Sequence, residues 1–119
     1  MFDYLEQIEG TLNFTTFLPP ESGYVRHLLE KTAEFELYCI VWSEGAETPF
    51  HCHPDGGCWM RVVEGELQEL TLMGEKLLTK GDTGFQKGAY GIHKITAKQA
   101  SKSLHLYKPA ASGYHKTIV

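Results

Sequence analysis

The chain has 119 residues, 42% of them hydrophobic and 22% charged, which suits one modest core and a single domain spanning 1–119. A formal net charge of −4 argues against a nucleic-acid partner, because phosphate binding wants clustered Lys and Arg. No apolar run approaches a membrane span, and the opening Met1-Phe2-Asp3-Tyr4-Leu5-Glu6 lacks the basic and apolar regions of a secretory signal.

In chain order, residues 2–9 carry apolar side chains at Phe2, Leu5 and Ile8, the spacing of a short amphipathic helix. Pro19 and Pro20 close that segment. From Tyr24 the pattern changes to short runs at 24–30, 36–43, 58–64, 66–73, 76–79, 83–87, 91–96 and 102–108, broken by Gly, Pro and Asp. That rhythm predicts an all-β sandwich or barrel with a short N-terminal helix, its core at about 24–109. The run at 36–43 is apolar on both faces apart from its ends, the charged Glu36 and the polar Ser43, and belongs in a central, doubly covered place. Glu64-Gly65-Glu66 predicts a hairpin, and residues 54–57 and 80–82 predict turns. The tail after Pro109 has two readings, a frame for a site or a loose end. Cys39, Cys52 and Cys58 are odd in number with no Cys-x-x-Cys pair, so a disulfide scaffold is not expected and the chain reads as cytoplasmic.

The strongest feature is residues 49–58. His51 and His53 stand two apart, so on a strand both imidazoles share a face while Cys52 takes the other. Imidazole is a common neutral metal ligand, although two histidines on an exposed strand need no metal. The framing is more specific: Gly45, five residues, His51-x-His53, four residues, Cys58, six residues, Gly65. This resembles the first cupin motif, which implies a double-stranded β-helix (a jelly roll) with a metal inside and His93 as a further ligand. Cys58 stands where that motif usually keeps a metal-binding Glu. Three neutral imidazoles would leave a divalent iron its full charge, which favours an anionic thiolate ligand and points to thiol oxidation.

Four segments then resemble the cysteine dioxygenase family, from about Tyr24 to Pro109: YVRHLLE at 24–30, CIVWSEGAETPFHCH at 39–53, CWMRVVEGELQE at 58–69 and SLHLYKP at 103–109. The resemblance implies one Fe(II) per chain on His51, His53 and His93. It further implies Arg26 holding the substrate carboxylate with Tyr24 beside it, Trp42 as a wall, a thioether cross-link between Cys58 and Tyr107, and His105 hydrogen-bonded to the Tyr107 hydroxyl. The implied reaction converts L-cysteine and O2 to cysteine sulfinate, with cysteine on iron through thiolate and amine. Relatives acting on 3-mercaptopropionate tend to have Gln at the place of Arg26, so Arg26 favours cysteine.

The residues themselves agree. Alternation puts Ser103, His105 and Tyr107 on one face of 102–108 and Leu104 and Leu106 on the other. Tyr24 and Arg26 likewise share a face, and the planar guanidinium suits a carboxylate. Each residue also has a plainer reading. Arg26 suits an exposed edge strand, and the polar triplet suits a solvated face. Cys39, Cys52 and Cys58 suit packing, and His27 and His115 suit the surface. Three rival functions fit the same residues: a dioxygenase for another small thiol; a cupin without oxygenase activity holding Zn²⁺ on His51, His53, His93 and Cys58; and a metal-free binding module.

Overall fold

A computed structural model describes residues 1–52, 56–87, 91–108 and 116–117, with Cys52, Lys116 and Thr117 described by backbone alone. Helix α1 (Phe2–Glu9) and a 3-10 turn (Phe14–Thr16) precede the strands. In chain order the strands are β1 (Tyr24–Lys31), β2 (Glu36–Trp42), β3 (His51–Cys52), β4 (Cys58–Glu64) and β5 (Glu66–Thr71). Then come β6 (Gly74–Thr79), β7 (Thr83–Gln86), β8 (His93–Ala97), β9 (Ser101–Tyr107) and β10 (Lys116–Thr117). They form two antiparallel sheets, ordered β1-β2-β9-β4-β7 and β10-β3-β8-β5-β6. No helix among the described residues is long and apolar enough to cross a membrane.

The expected helix and every expected strand region are present, and β2 is central: it lies between β1 and β9 with all seven residues buried. Both of its faces are covered for different reasons. Leu37, Cys39 and Val41 point outward and cluster with Val63, Leu104 and Leu106 under Leu5 of α1. Tyr38, Ile40 and Trp42 point between the sheets, among Met60, Val62, Leu67, Leu78, Ile95 and Ala97. Full burial of Leu5 alone is worth about 1.5–3 kcal/mol and docks the helix. Lys102 ties down the 3-10 turn after the helix, donating to the Phe14 carbonyl at 2.7 Å while pairing with Glu64 at 3.0 Å.

The β4–β5 hairpin turns at Gly65, whose φ is +89°. A side chain there would be strained, and its Cβ would collide with Ser101 Oγ and the Ala100 carbonyl. Two features differ from the sequence reading, and a third bears on its open question about the tail. The run at 66–73 stops at Thr71, because the Thr71 hydroxyl accepts from the Met73 amide at 3.1 Å and donates to the Gly74 carbonyl at 3.2 Å. Leu72 and Met73 therefore form an exposed turn. His27 is half-buried, with its ring edge-on to Phe17 at 5.3 Å, because the N-terminal segment covers this face of β1. Within the tail after Pro109, β10 returns to pair with β3, Thr117 opposite His51.

Candidate functional site

The space between the sheets is apolar at one end and polar at the other. The segment before β3 runs antiparallel to β8. The Gly45 amide donates to the Ala97 carbonyl at 2.8 Å and the Thr48 amide to the Ile95 carbonyl at 2.9 Å. This strap delivers His51 opposite His93 in register. Both imidazoles are buried, with Nε2 facing Nε2 at 3.1 Å.

The hydrogen bonds behind the rings fix what those nitrogens present. The Pro49 carbonyl, which can only accept, takes the Nδ1–H of His51 at 2.9 Å. The Glu69 carboxylate takes the Nδ1–H of His93 at 2.8 Å. Burial works against ionisation of Glu69, but His93, Gln86 and Lys76 outweigh it and hold its pKa below the ordinary value. With its proton on Nδ1, the neutral form of each ring turns its Nε2 lone pair toward the other. Burial is the main reason the His51 pKa falls to about 4, with the nearby charges of His93 and Arg26 adding to it against the Pro49 bond.

Two buried lone pairs aimed at one point suit a cation. Metal–imidazole bonds of about 2.1 Å meeting near a right angle would put the two nitrogens about 3 Å apart. A carboxylate on the far nitrogen of a ligating histidine is the usual support for such a ligand. The donor set thus fits a divalent metal. His53 lies outside the described residues, and among those described no cluster of three His, Cys, Asp or Glu side chains is arranged as a metal site.

Facing the histidines is the inner surface of the other sheet. Arg26 on β1 lays its guanidinium over the Tyr38 ring at 4.3 Å and the Tyr107 ring at 5.3 Å. Its Nε is buried without a hydrogen-bond partner among the described residues. Tyr107 and Cys58 are register partners across β9 and β4, and both are buried. Burial pushes both pKa values up; for Cys58 Glu69 adds to this, and for Tyr107 the neighbouring thiol does, with Arg26 opposing in each case. Both groups stay protonated near neutrality.

Trp42 Nε1 donates to Ser103 Oγ at 2.9 Å, and Ser103 Oγ hydrogen-bonds His105 Nε2 at 2.7 Å. The His105 ring stacks along Tyr107 with centroids 6.4 Å apart, and Tyr24 lies against Trp42 at 4.9 Å. The structure therefore gathers Tyr24, Arg26, Trp42, His51, Cys58, His93, His105 and Tyr107 around one interior. Sequence reasoning put Ser103 on the same face as His105 and Tyr107 but gave it no bonding partner, and it missed Glu69 altogether. The available signal was parity, since Glu69 shares the inward register of β5 with the core residue Leu67. Gln86 holds Glu69 at 2.9 Å and also lines an open cavity of about 430 Å³ with Thr71, Leu72, Met73 and Ile92.

Two facing sheets with a histidine pair at one end define a cupin. The fold is similar to that of an RmlC-like cupin from Shewanella frigidimarina, with a TM-score of 0.70 and 26% identity over 78% of this chain and 82% of that one. Within that class, residues 12–117 match the family Cysteine dioxygenase type I, and the chain belongs to it. It is 23% identical to cysteine dioxygenase type 1 of Danio rerio, over 99% of this chain and 71% of that protein. It is 25% identical to the Bos taurus protein of the same name over 77% of its own length, spanning about half (54%) of that relative.

Proposed function

We propose that this protein is a non-haem Fe(II) thiol dioxygenase, acting in the cytoplasm, that oxidises L-cysteine with O2 to cysteine sulfinate. His51 and His93, joined by His53, would hold one Fe(II) per chain. The observation that carries the reading is the pair of facing Nε2 lone pairs, oriented by Pro49 and Glu69, within electrostatic reach of Arg26. Family membership supports the same chemistry.

Bound iron would supply a common point of attachment for the thiol and dioxygen. The chain's own residues do the rest. Arg26, held over two aromatic rings, would offer its fork to the substrate carboxylate and so fix which end of the substrate reaches the histidines. Glu69 keeps the His93 proton on Nδ1, leaving Nε2 as the donor. The Trp42–Ser103–His105 chain holds the imidazole beside Tyr107, whose protonated phenol can donate a hydrogen bond into the site. Cys58 would be the thioether partner of Tyr107, a role supported by their register pairing across β4 and β9. Both oxygen atoms of O2 end on sulfur, so the reaction balances without an external reductant.

The test is oxygen uptake by iron-loaded protein with L-cysteine, 3-mercaptopropionate and cysteamine, the product identified by mass spectrometry. Sulfinate forming fastest from L-cysteine is expected. Uptake no faster than that of free iron would overturn the reading, and cysteine as the poorest of the three would overturn its specificity.

A further inference from the structure

Glu36 opens β2 two residues before Tyr38, on the inward face, and pairs in register with Tyr107, itself opposite Cys58. Glu36 is only 1% exposed. Oε1 accepts the Tyr38 hydroxyl at 2.6 Å, while Oε2 is buried with no hydrogen-bond partner among the described residues. Arg26, whose guanidinium lies over the ring of the same tyrosine, has its Nε buried and unpartnered among the described residues too. One tyrosine thus touches both a carboxyl group and a guanidinium, each with an atom that has lost water and found no partner among the described residues. Buried polar atoms in that state are costly, and a ligand that completes both relieves the cost.

We propose that Glu36 reads the amino group of a thiol amino acid whose carboxylate is held by Arg26, so that Arg26, Tyr38 and Glu36 together recognise a zwitterion. This rests on Arg26 as the carboxylate holder in the function proposed above. An amine keeps at least two N–H donors whether it carries a third proton or shares its lone pair with a metal, so Glu36 Oε2 can accept from it in either state. A mercaptocarboxylate leaves Oε2 unpaired, and an aminothiol leaves Arg26 unpaired. A site built for a polar group discriminates most strongly against the analogue that lacks it.

The test is titration calorimetry without oxygen on iron-loaded protein, comparing wild type with Glu36→Gln. Gln can still accept from Tyr38 but presents an N–H where Oε2 stood. L-Cysteine should weaken by about tenfold or more while 3-mercaptopropionate is unchanged. Equal weakening of both ligands, or no change in either, overturns the proposal. If Glu36→Gln does not fold, metal-free wild type decides through L-serine and 3-hydroxypropionate: serine must bind more tightly, and equal affinity overturns the proposal. This pair contains no thiol. A serine preference in a protein that oxidises nothing would sink the dioxygenase reading while leaving zwitterion recognition standing.

Discussion

The two faces of β9 are equally dry and differ entirely in purpose. Leu104 and Leu106 point outward, fully buried against β2, β4 and the helix side. Ser103, His105 and Tyr107 point inward and are as well buried, yet each carries a polar group. The outer face can give up contacts and lose only stability. The inner face spends burial on fixing orientation, since a hydroxyl held by Trp42 and an imidazole held by that hydroxyl have few alternatives. The strand teaches that interior position and structural role separate cleanly once parity is known.

Substitutions that break this division are ordered by expected effect. His93→Ala removes one of the two facing nitrogens, so the folded protein should lose at least nine-tenths of its bound metal by elemental analysis, roughly a tenfold effect or more. Full metal content in that variant would mean the pair is structural. Leu104→Ala, one residue along β9 from His105, should lower unfolding free energy by about 2–5 kcal/mol in a denaturant titration, with metal content per folded chain unchanged. Glu69→Gln should weaken metal binding by about 10–100-fold, measured by chelator competition, with little change in denaturant midpoint. The smallest effect concerns Cys39. Burial is the chief reason its thiol pKa rises to about 11, so it has little thiolate below that pH. At pH 8 a thiol reagent should leave Cys39 unlabelled in native protein and label it fully after unfolding, as read by peptide mass spectrometry.

The inner face of β9 was legible in the sequence because a two-residue period needs no knowledge of the partner strand. The central place of β2 was legible because both of its parities are apolar. His51 and His93 could be paired only through a resemblance in spacing, since nothing local says that β3 lies beside β8. Glu69 was legible only in part: parity puts it, unlike Glu66, on the inward face with Leu67, but only the pairing of β5 with β8 puts its carboxylate behind His93. Glu36 read as the ordinary charged start of a strand, and only packing shows it sealed inside. The turn at Leu72 and Met73 was hidden because apolar residues usually continue a strand, whereas here the Thr71 hydroxyl ends it. His27 looked exposed because a strand's own pattern does not show which segment will lie across it.

The most direct measurement is a crystal structure of iron-loaded protein with anomalous data at the iron edge. One strong peak within bonding distance of both the His51 and His93 Nε2 atoms is the predicted result, with the Glu69 carboxylate still on His93 Nδ1. A peak elsewhere, or a Glu69 oxygen as a direct ligand with His93 turned away, would contradict a metal centre built on these two facing imidazoles.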